Sequence, residues 1–218
     1  MKGFGLMTRF AAYGATLALF QAVALIFATP AFAREKLVLA FGDSLTAGYG
    51  LKPNESFPAQ LQVALGKGGI AARVHNAGVS GDTSAAGKGR LVWVLASLKA
   101  KPDLVILELG ANDMLRGLQP AQTRANLDAI LAELKRRRIP VLIAGMRASF
   151  NMGKGFQAQF DPIFPALAKK HGARLYPFFM AGVTPNRTLL IADQIHPNAK
   201  GVAVIVRGIY PQVAAALR

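Results

Sequence analysis

An open, doubly wound α/β sheet of parallel strands is the fold this sequence predicts, and three observations predict it. Five short apolar, β-rich runs alternate with longer amphipathic ones from residue 34 to the end. One run, Leu104-Val105-Ile106-Leu107-Glu108-Leu109, is nearly continuous in apolar residues, the composition of a central strand covered by helices on both faces. The first three runs end in small and polar residues, at the carboxyl edge where such sheets bind ligands.

The strands are expected at 37–41, 73–76, 104–109, 141–146 and 174–177. The helices are expected at 57–66, 84–100, 120–137, 155–171 and 198–217. Pro102 stops the second helix, and Pro140 stops the third after the basic run Lys135-Arg136-Arg137-Arg138. Cations at that position complement the carbonyl end of a helix, so the run needs no nucleic-acid partner. Strict β-α alternation with right-handed crossovers gives five parallel strands in one domain. No internal repeat, linker or low-complexity segment interrupts it.

The first 33 residues read differently. Lys2 and Arg9 precede an uncharged run from Phe10 to Phe32, which ends in Ala31-Phe32-Ala33 before the charged Arg34-Glu35-Lys36. This is the pattern of a secretory signal cleaved after Ala33, which predicts a periplasmic or secreted domain of residues 34–218. The alternative is a retained membrane anchor, since the uncharged run is long enough to span a bilayer. Without Lys2 and Arg9, the 26 Lys and Arg fall to 24 against 11 acidic residues, a formal charge of +13. The charges are scattered singly, which argues against nucleic acid and for weak attraction to anionic membrane surfaces. There is no cysteine, hence no thiolate nucleophile and no cysteine-based metal site. Oligomeric state is not readable from the chain.

The polar strand ends carry the chemistry. Ser44 follows the first strand, Gly81 lies in the loop after the second, and Asn112 lies after the third. His196 precedes the last helix, three residues after Asp193. A serine hydroxyl is a poor nucleophile alone; it needs a base, a group to orient the base, and donors for an oxyanion. An Asp-x-x-His turn can supply the base and its orienter. The backbone N–H groups of Ser44 and Gly81 and the Asn112 amide can supply the donors. Taken singly, each residue has an ordinary explanation: a helix cap for Ser44, a positive-φ turn for Gly81, an Asx turn for Asn112. Of the other two histidines, His75 lies within a strand and His171 ends a helix, so both are expected to be structural. Asp43, Asp82 and Asp113 sit on the same loops, where they are expected to satisfy loop N–H groups rather than hold a metal.

Gly42-Asp43-Ser44-Leu45, Val79-Ser80-Gly81-Asp82-Thr83, Gly110-Ala111-Asn112-Asp113 and Asp193-Gln194-Ile195-His196-Pro197 together resemble, in order, the four motif blocks of the SGNH (GDSL) hydrolases. The resemblance is closest to their secreted bacterial thioesterase, lysophospholipase and arylesterase branch, and it covers residues 34–218. It implies a flavodoxin-like three-layer α/β/α sandwich and an enzyme without cofactor or metal. It implies Ser44 as nucleophile, His196 as base and Asp193 as its orienter, with Ser44, Gly81 and Asn112 as the oxyanion hole. The substrates implied are small acyl esters, with thioesters or lysophospholipids as further candidates. Residues 146–155 are similar in position to a loop that covers the acyl chain, which implies Met146, Phe150 and Met152 as substrate contacts. Ala111 departs from the pattern, replacing a glycine common in the family, and is compatible with it if its φ is negative. The serine is not in a G-x-S-x-G elbow, so the α/β-hydrolase arrangement does not apply. Two other readings compete: a lipid or glycan binder with a vestigial site, and a flavodoxin-like nucleotide binder. The second leaves Asp193 and His196 without a role.

Overall fold

The computed structural model describes residues 34–218; the expected secretory segment lies outside the described residues. Five strands form one sheet: β1 (Lys36–Gly42), β2 (Ala72–Gly78), β3 (Leu104–Glu108), β4 (Val141–Ala144) and β5 (Arg174–Tyr176). All neighbours are parallel and the order is β2-β1-β3-β4-β5. This is the flavodoxin-like order, in which the chain reverses its direction of winding between β1 and β3. Connections leaving those two strands diverge to opposite faces, so a crevice opens at their carboxyl ends.

The central strands behave as their composition requires. Val38 to Phe41 in β1 and Leu104 to Leu107 in β3 are all at most 1% exposed. A strand with no solvent face has no use for alternation, which is why both read as continuous apolar runs. The edge strand β2 buries only Val74, and His75 beside it is exposed.

The helices that matter most for packing are α2 (Phe57–Lys67), α3 (Ser84–Ser97), α5 (Pro120–Arg136), α7 (Ile163–His171) and α8 (Ala199–Leu217). Helix α2 packs on α8, while α3 packs on α5 and α5 on α7, which makes the two outer layers of a sandwich. Each helix buries one stripe at helical spacing: Phe57, Leu61 and Leu65 on α2; Leu127, Ile130, Leu131 and Leu134 on α5; Val202, Ile205, Val206, Ile209 and Val213 on α8. Their starts are marked chemically. Pro58 and Pro120 fall in first turns, the Thr83 hydroxyl accepts from the Ala86 N–H, and the Asn198 amide oxygen accepts from the N–H groups of Lys200 and Gly201.

The sequence predicts one helix over 155–171, whereas the structure has two, α6 (Lys154–Phe160) and α7, broken at Asp161-Pro162. Pro162 has no N–H to give the helical ladder, although Asp161 before it keeps helical backbone at φ −60° and ψ −38°. The Asp161 carboxylate meanwhile accepts from the Ala148 N–H at 2.7 Å and pins the loop opposite. Two short helices at strand ends were not expected: α1 (Ser44–Ala47) and α4 (Ala111–Leu115). Both are too short to show a periodicity. His171 lies at the end of α7, where its ring bonds Asp128 of α5 and Gly172 closes the helix at φ 66°.

Candidate active site

The site begins where β1 stops. Asp43 is the N-cap of α1, its carboxylate accepting from the Leu45 N–H at 2.9 Å, and Ser44 is the first residue of that helix. A first-turn residue has an N–H with no partner in its own helix. The Ser44 N–H indeed has none among the described residues, and neither has that of Gly81, which sits in a turn at φ 86°. Only glycine adopts that conformation at no steric cost. Arg116 Nη2 holds the Gly81 carbonyl at 2.8 Å. At the end of β3, Gly110 takes φ 118° and opens α4, so Ala111 sits in ordinary helical backbone and the family departure there is accommodated.

His196 joins two of the polar clusters. Its Nε2 lies 2.8 Å from Ser44 Oγ, across 152 positions of sequence, and its Nδ1 lies 2.6 Å from Asp193 Oδ2. The other oxygen of Asp193, Oδ1, accepts from the N–H groups of Ile195 and His196 at 2.9 and 3.0 Å. This turn carries Gln194 at φ 59°, a conformation that costs a non-glycine residue roughly 1 kcal/mol or more and persists where surrounding bonds enforce it. Partial burial pushes the Asp193 pKa up, but the two N–H groups and the imidazole outweigh it and hold the carboxyl below its ordinary range. Asp193 therefore remains an anion beside the ring. The Tyr49 ring, unremarked in the sequence, packs on His196 with centroids 4.7 Å apart.

Asn112 lies at the same rim, but its amide is engaged. Nδ2 donates to Asp43 Oδ2 at 3.1 Å and to the Asp82 carbonyl at 3.0 Å. To serve an oxyanion it must exchange one of these partners.

Three acidic residues on the rim are taken up by the loops themselves. Asp43 caps α1, Asp82 pairs with Arg90 at 2.6 Å, and buried Asp113 accepts from the Ser84 N–H at 2.7 Å and the Thr123 hydroxyl at 3.0 Å. Among the described residues no three His, Asp or Glu side chains are grouped to hold a metal.

A cavity of about 660 Å³ opens over this rim, within the usual size of a small-molecule site. Ser44, Gly81, Asn112 and His196 all face it. The rest of its wall is largely apolar: Leu45, Tyr49, Met114, Leu115, Met146, Phe150, Phe178, Met180 and Ile195 contribute. Met146 is buried and Phe150 is 90% exposed at the mouth. Met152 does not line the cavity; it lies in a short 3₁₀ turn, Phe150–Met152, that turns it aside. Met114 and Leu115 at the end of α4, and Phe178 and Met180 after β5, come from two stretches that only the fold brings together, and no local pattern marks them.

A parallel sheet with an apolar cavity at its switch point, and a Ser44–His196 pair facing that cavity with Asp193 bonded behind it, places the chain in the flavodoxin-like α/β class. The comparisons with known proteins narrow the class. The sequence pattern of the GDSL-like lipase/acylhydrolase family matches residues 40–204. The chain is 36% identical over 189 residues to Esterase TesA of Pseudomonas aeruginosa, covering 87% of this chain and 92% of the relative. It is 39% identical over 161 residues to Thioesterase 1/protease 1/lysophospholipase L1 of Escherichia coli K12, covering 74% and 75% respectively. The crystal structure of AlinE4, an esterase of the SGNH-hydrolase family, superposes with a TM-score of 0.73 at 52% identity, over 86% of this chain and all of that one. The chain belongs to the GDSL-like lipase/acylhydrolase family and is an esterase of that family.

Proposed function

We propose that this protein is a serine esterase exported to the periplasm or beyond, with Ser44 as nucleophile, His196 as general base and then acid, and Asp193 as the anion that orients it. The observation that carries this reading is His196, bonded at once to Ser44 Oγ at 2.8 Å and Asp193 Oδ2 at 2.6 Å. His196 takes the Ser44 proton as Oγ attacks the acyl carbonyl. Asp193 holds the Nδ1 tautomer in place and stabilises the imidazolium that forms. The oxyanion is met by the N–H groups of Ser44 and Gly81, which have no partner among the described residues. Asn112 joins them by giving up the Asp82 carbonyl and keeping Asp43. The imidazolium then protonates the leaving alcohol or thiol; water, deprotonated by His196, attacks the acyl-enzyme, and the carboxylic acid leaves as the proton returns to Ser44 Oγ.

The cavity wall supports an acyl ester as the substrate. Its apolar residues suit the hydrocarbon part, and its mouth is open enough for a variable leaving group. Aryl esters, acyl thioesters and lysophospholipids all fit that description. Hydrolysis of p-nitrophenyl butyrate by the wild type and by Ser44→Ala tests the assignment. The variant should be inert, and turnover comparable to wild type would remove Ser44 from the mechanism. A chain-length series of the same esters, run beside acyl-CoA and lysophosphatidylcholine, ranks the substrate classes.

A further inference from the structure

Directly beneath Ser44 lie two carboxyl groups that the triad does not use. Glu108, the last residue of β3, is the register partner of Gly42 in β1, and both it and Asp43 are fully buried. Glu108 Oε2 accepts from the Thr46 hydroxyl at 2.7 Å and from the Asp43 N–H at 3.3 Å. Gly42 is a glycine because of it: a Cβ there would stand 2.6 Å from Glu108 Oε2 and closer still to Thr46 Oγ1. The Gly-Asp-Ser-Leu-Thr segment is thus folded around the Glu108 carboxyl.

Neither carboxyl has an ion-pair partner among the described residues. The charged and titratable groups nearest the pair are otherwise occupied. Arg90 binds Asp82 and the Gly42 carbonyl, and His196 binds Asp193 and Ser44. Two buried anions in contact are prohibitively costly, so the pair holds one proton. Burial, and then the charge of Asp43, raise the Glu108 pKa well above its ordinary value; burial lifts Asp43 only to about 6, against the bonds it accepts. The proton therefore resides on Glu108. Its Oε1, which no donor reaches, marks the same conclusion: a buried acceptor left empty is costly, whereas a carboxylic acid needs fewer donors.

We propose that Glu108 and Asp43, as a carboxylic acid–carboxylate pair, are positioning residues that aim the Asn112 amide and the first turn of α1 at the developing oxyanion. The chain of contacts is continuous: Glu108 Oε2 accepts from the Asp43 N–H, Asp43 Oδ2 accepts from Asn112 Nδ2, and Asp43 Oδ1 accepts from the Leu45 N–H beside Ser44. The inference rests on the esterase reading of Ser44.

The test is a double-mutant cycle between Glu108 and Asn112, read as kcat and KM on p-nitrophenyl butyrate. Asn112→Ala should lower kcat roughly 10²–10³-fold. Glu108→Ala should lower it about 10–100-fold with KM little changed, because neither carboxyl touches substrate. The double variant should be slower than Asn112→Ala alone by clearly less than the full Glu108→Ala factor, because only the route through α1 remains. Glu108→Gln, whose amide can donate to Asp43 and accept from Thr46, should recover most of the loss. Full multiplication of the two single effects, or a Glu108→Gln no better than Glu108→Ala, overturns the proposal. If Glu108→Ala does not fold, Asp43→Asn takes its place in the cycle under the same criterion. Infrared spectroscopy at pH 7 reads the pair without turnover: the wild type should show the C=O band of a buried carboxylic acid, absent in Glu108→Gln. No such band overturns the proposal as well. Turnover retained in Ser44→Ala would instead show that the esterase reading has failed; the infrared band would then stand, and the positioning role would fall with that reading.

Discussion

Asp43 and Asp193 are both aspartates within reach of the reacting serine, and their surroundings drive them apart. Asp43, next to Ser44 in sequence, is buried in the floor of the site and carries a pKa raised to about 6. Asp193 sits in a loop, with its side chain one-third exposed, and is held an anion by two N–H groups and an imidazole. Asp43 is the nearer in sequence, but only Asp193 bonds the histidine. In the proposed mechanism the two carboxyls, pushed in opposite directions, divide the labour of one site, one shaping the donors and the other charging the base.

The sharpest way to break this contrast is to remove its common focus. Ser44→Ala and His196→Ala should each cost on the order of 10⁵-fold or more in kcat, with chromogenic ester turnover as the assay. Asp193→Asn comes next, with a loss of roughly 10²–10⁴ in kcat, because a neutral amide neither fixes the tautomer nor stabilises imidazolium. Asp43→Asn should lose less, since Asp43 acts only through the Asn112 amide and the first turn of α1. A larger loss for Asp43→Asn than for Asp193→Asn would invert the assignment.

Stability against pH separates the two carboxyls by sign. A carboxyl whose folded pKa is raised binds its proton more tightly when folded. Its contribution is fully present below an unfolded pKa near 4 and is lost as pH rises through about 6. Asp43→Asn should therefore gain on the wild type in urea midpoint as pH rises from about 4 through about 6, by up to about 3 kcal/mol over that whole window for a two-unit shift, with no further gain above about pH 7. For Asp193, held below its ordinary range, the sign reverses: its contribution is present above about pH 4 and is lost as pH falls further. The smallest effect belongs to the surface. Glu133 bonds Arg136 and Arg137 on exposed helix, where solvent screens the pair, and Glu133→Gln should leave the urea midpoint nearly unchanged.

What the sequence disclosed follows from range. The strand runs and their polar ends are local patterns, so the parallel sheet and the rim residues Ser44, Gly81, Asn112, Asp193 and His196 could be picked out and are found on one cavity or directly behind it. The break at Pro162 could have been read, because proline after Asp161 is a local signal. Glu108 does not stand out in the sequence, being one polar residue in a nearly continuous apolar run. A carboxyl ending an otherwise wholly buried strand was the available clue, but its partner lies 65 positions away. The cavity wall was legible only in part: Met146 and Phe150 line it, Met152 does not, and Tyr49, Phe178 and Met180 arrive from remote segments. That Asn112 already spends its amide on Asp43 and Asp82 could not be foreseen from any spacing.

The central claim is that His196 activates Ser44, and covalent labelling tests it most directly. A fluorophosphonate incubated with the wild type should give one adduct, mapped by mass spectrometry to the peptide containing Ser44. The rate of labelling should fall by orders of magnitude in His196→Ala while the variant stays folded. An unreactive wild type, or a Ser44 adduct forming as fast without His196, would contradict the account.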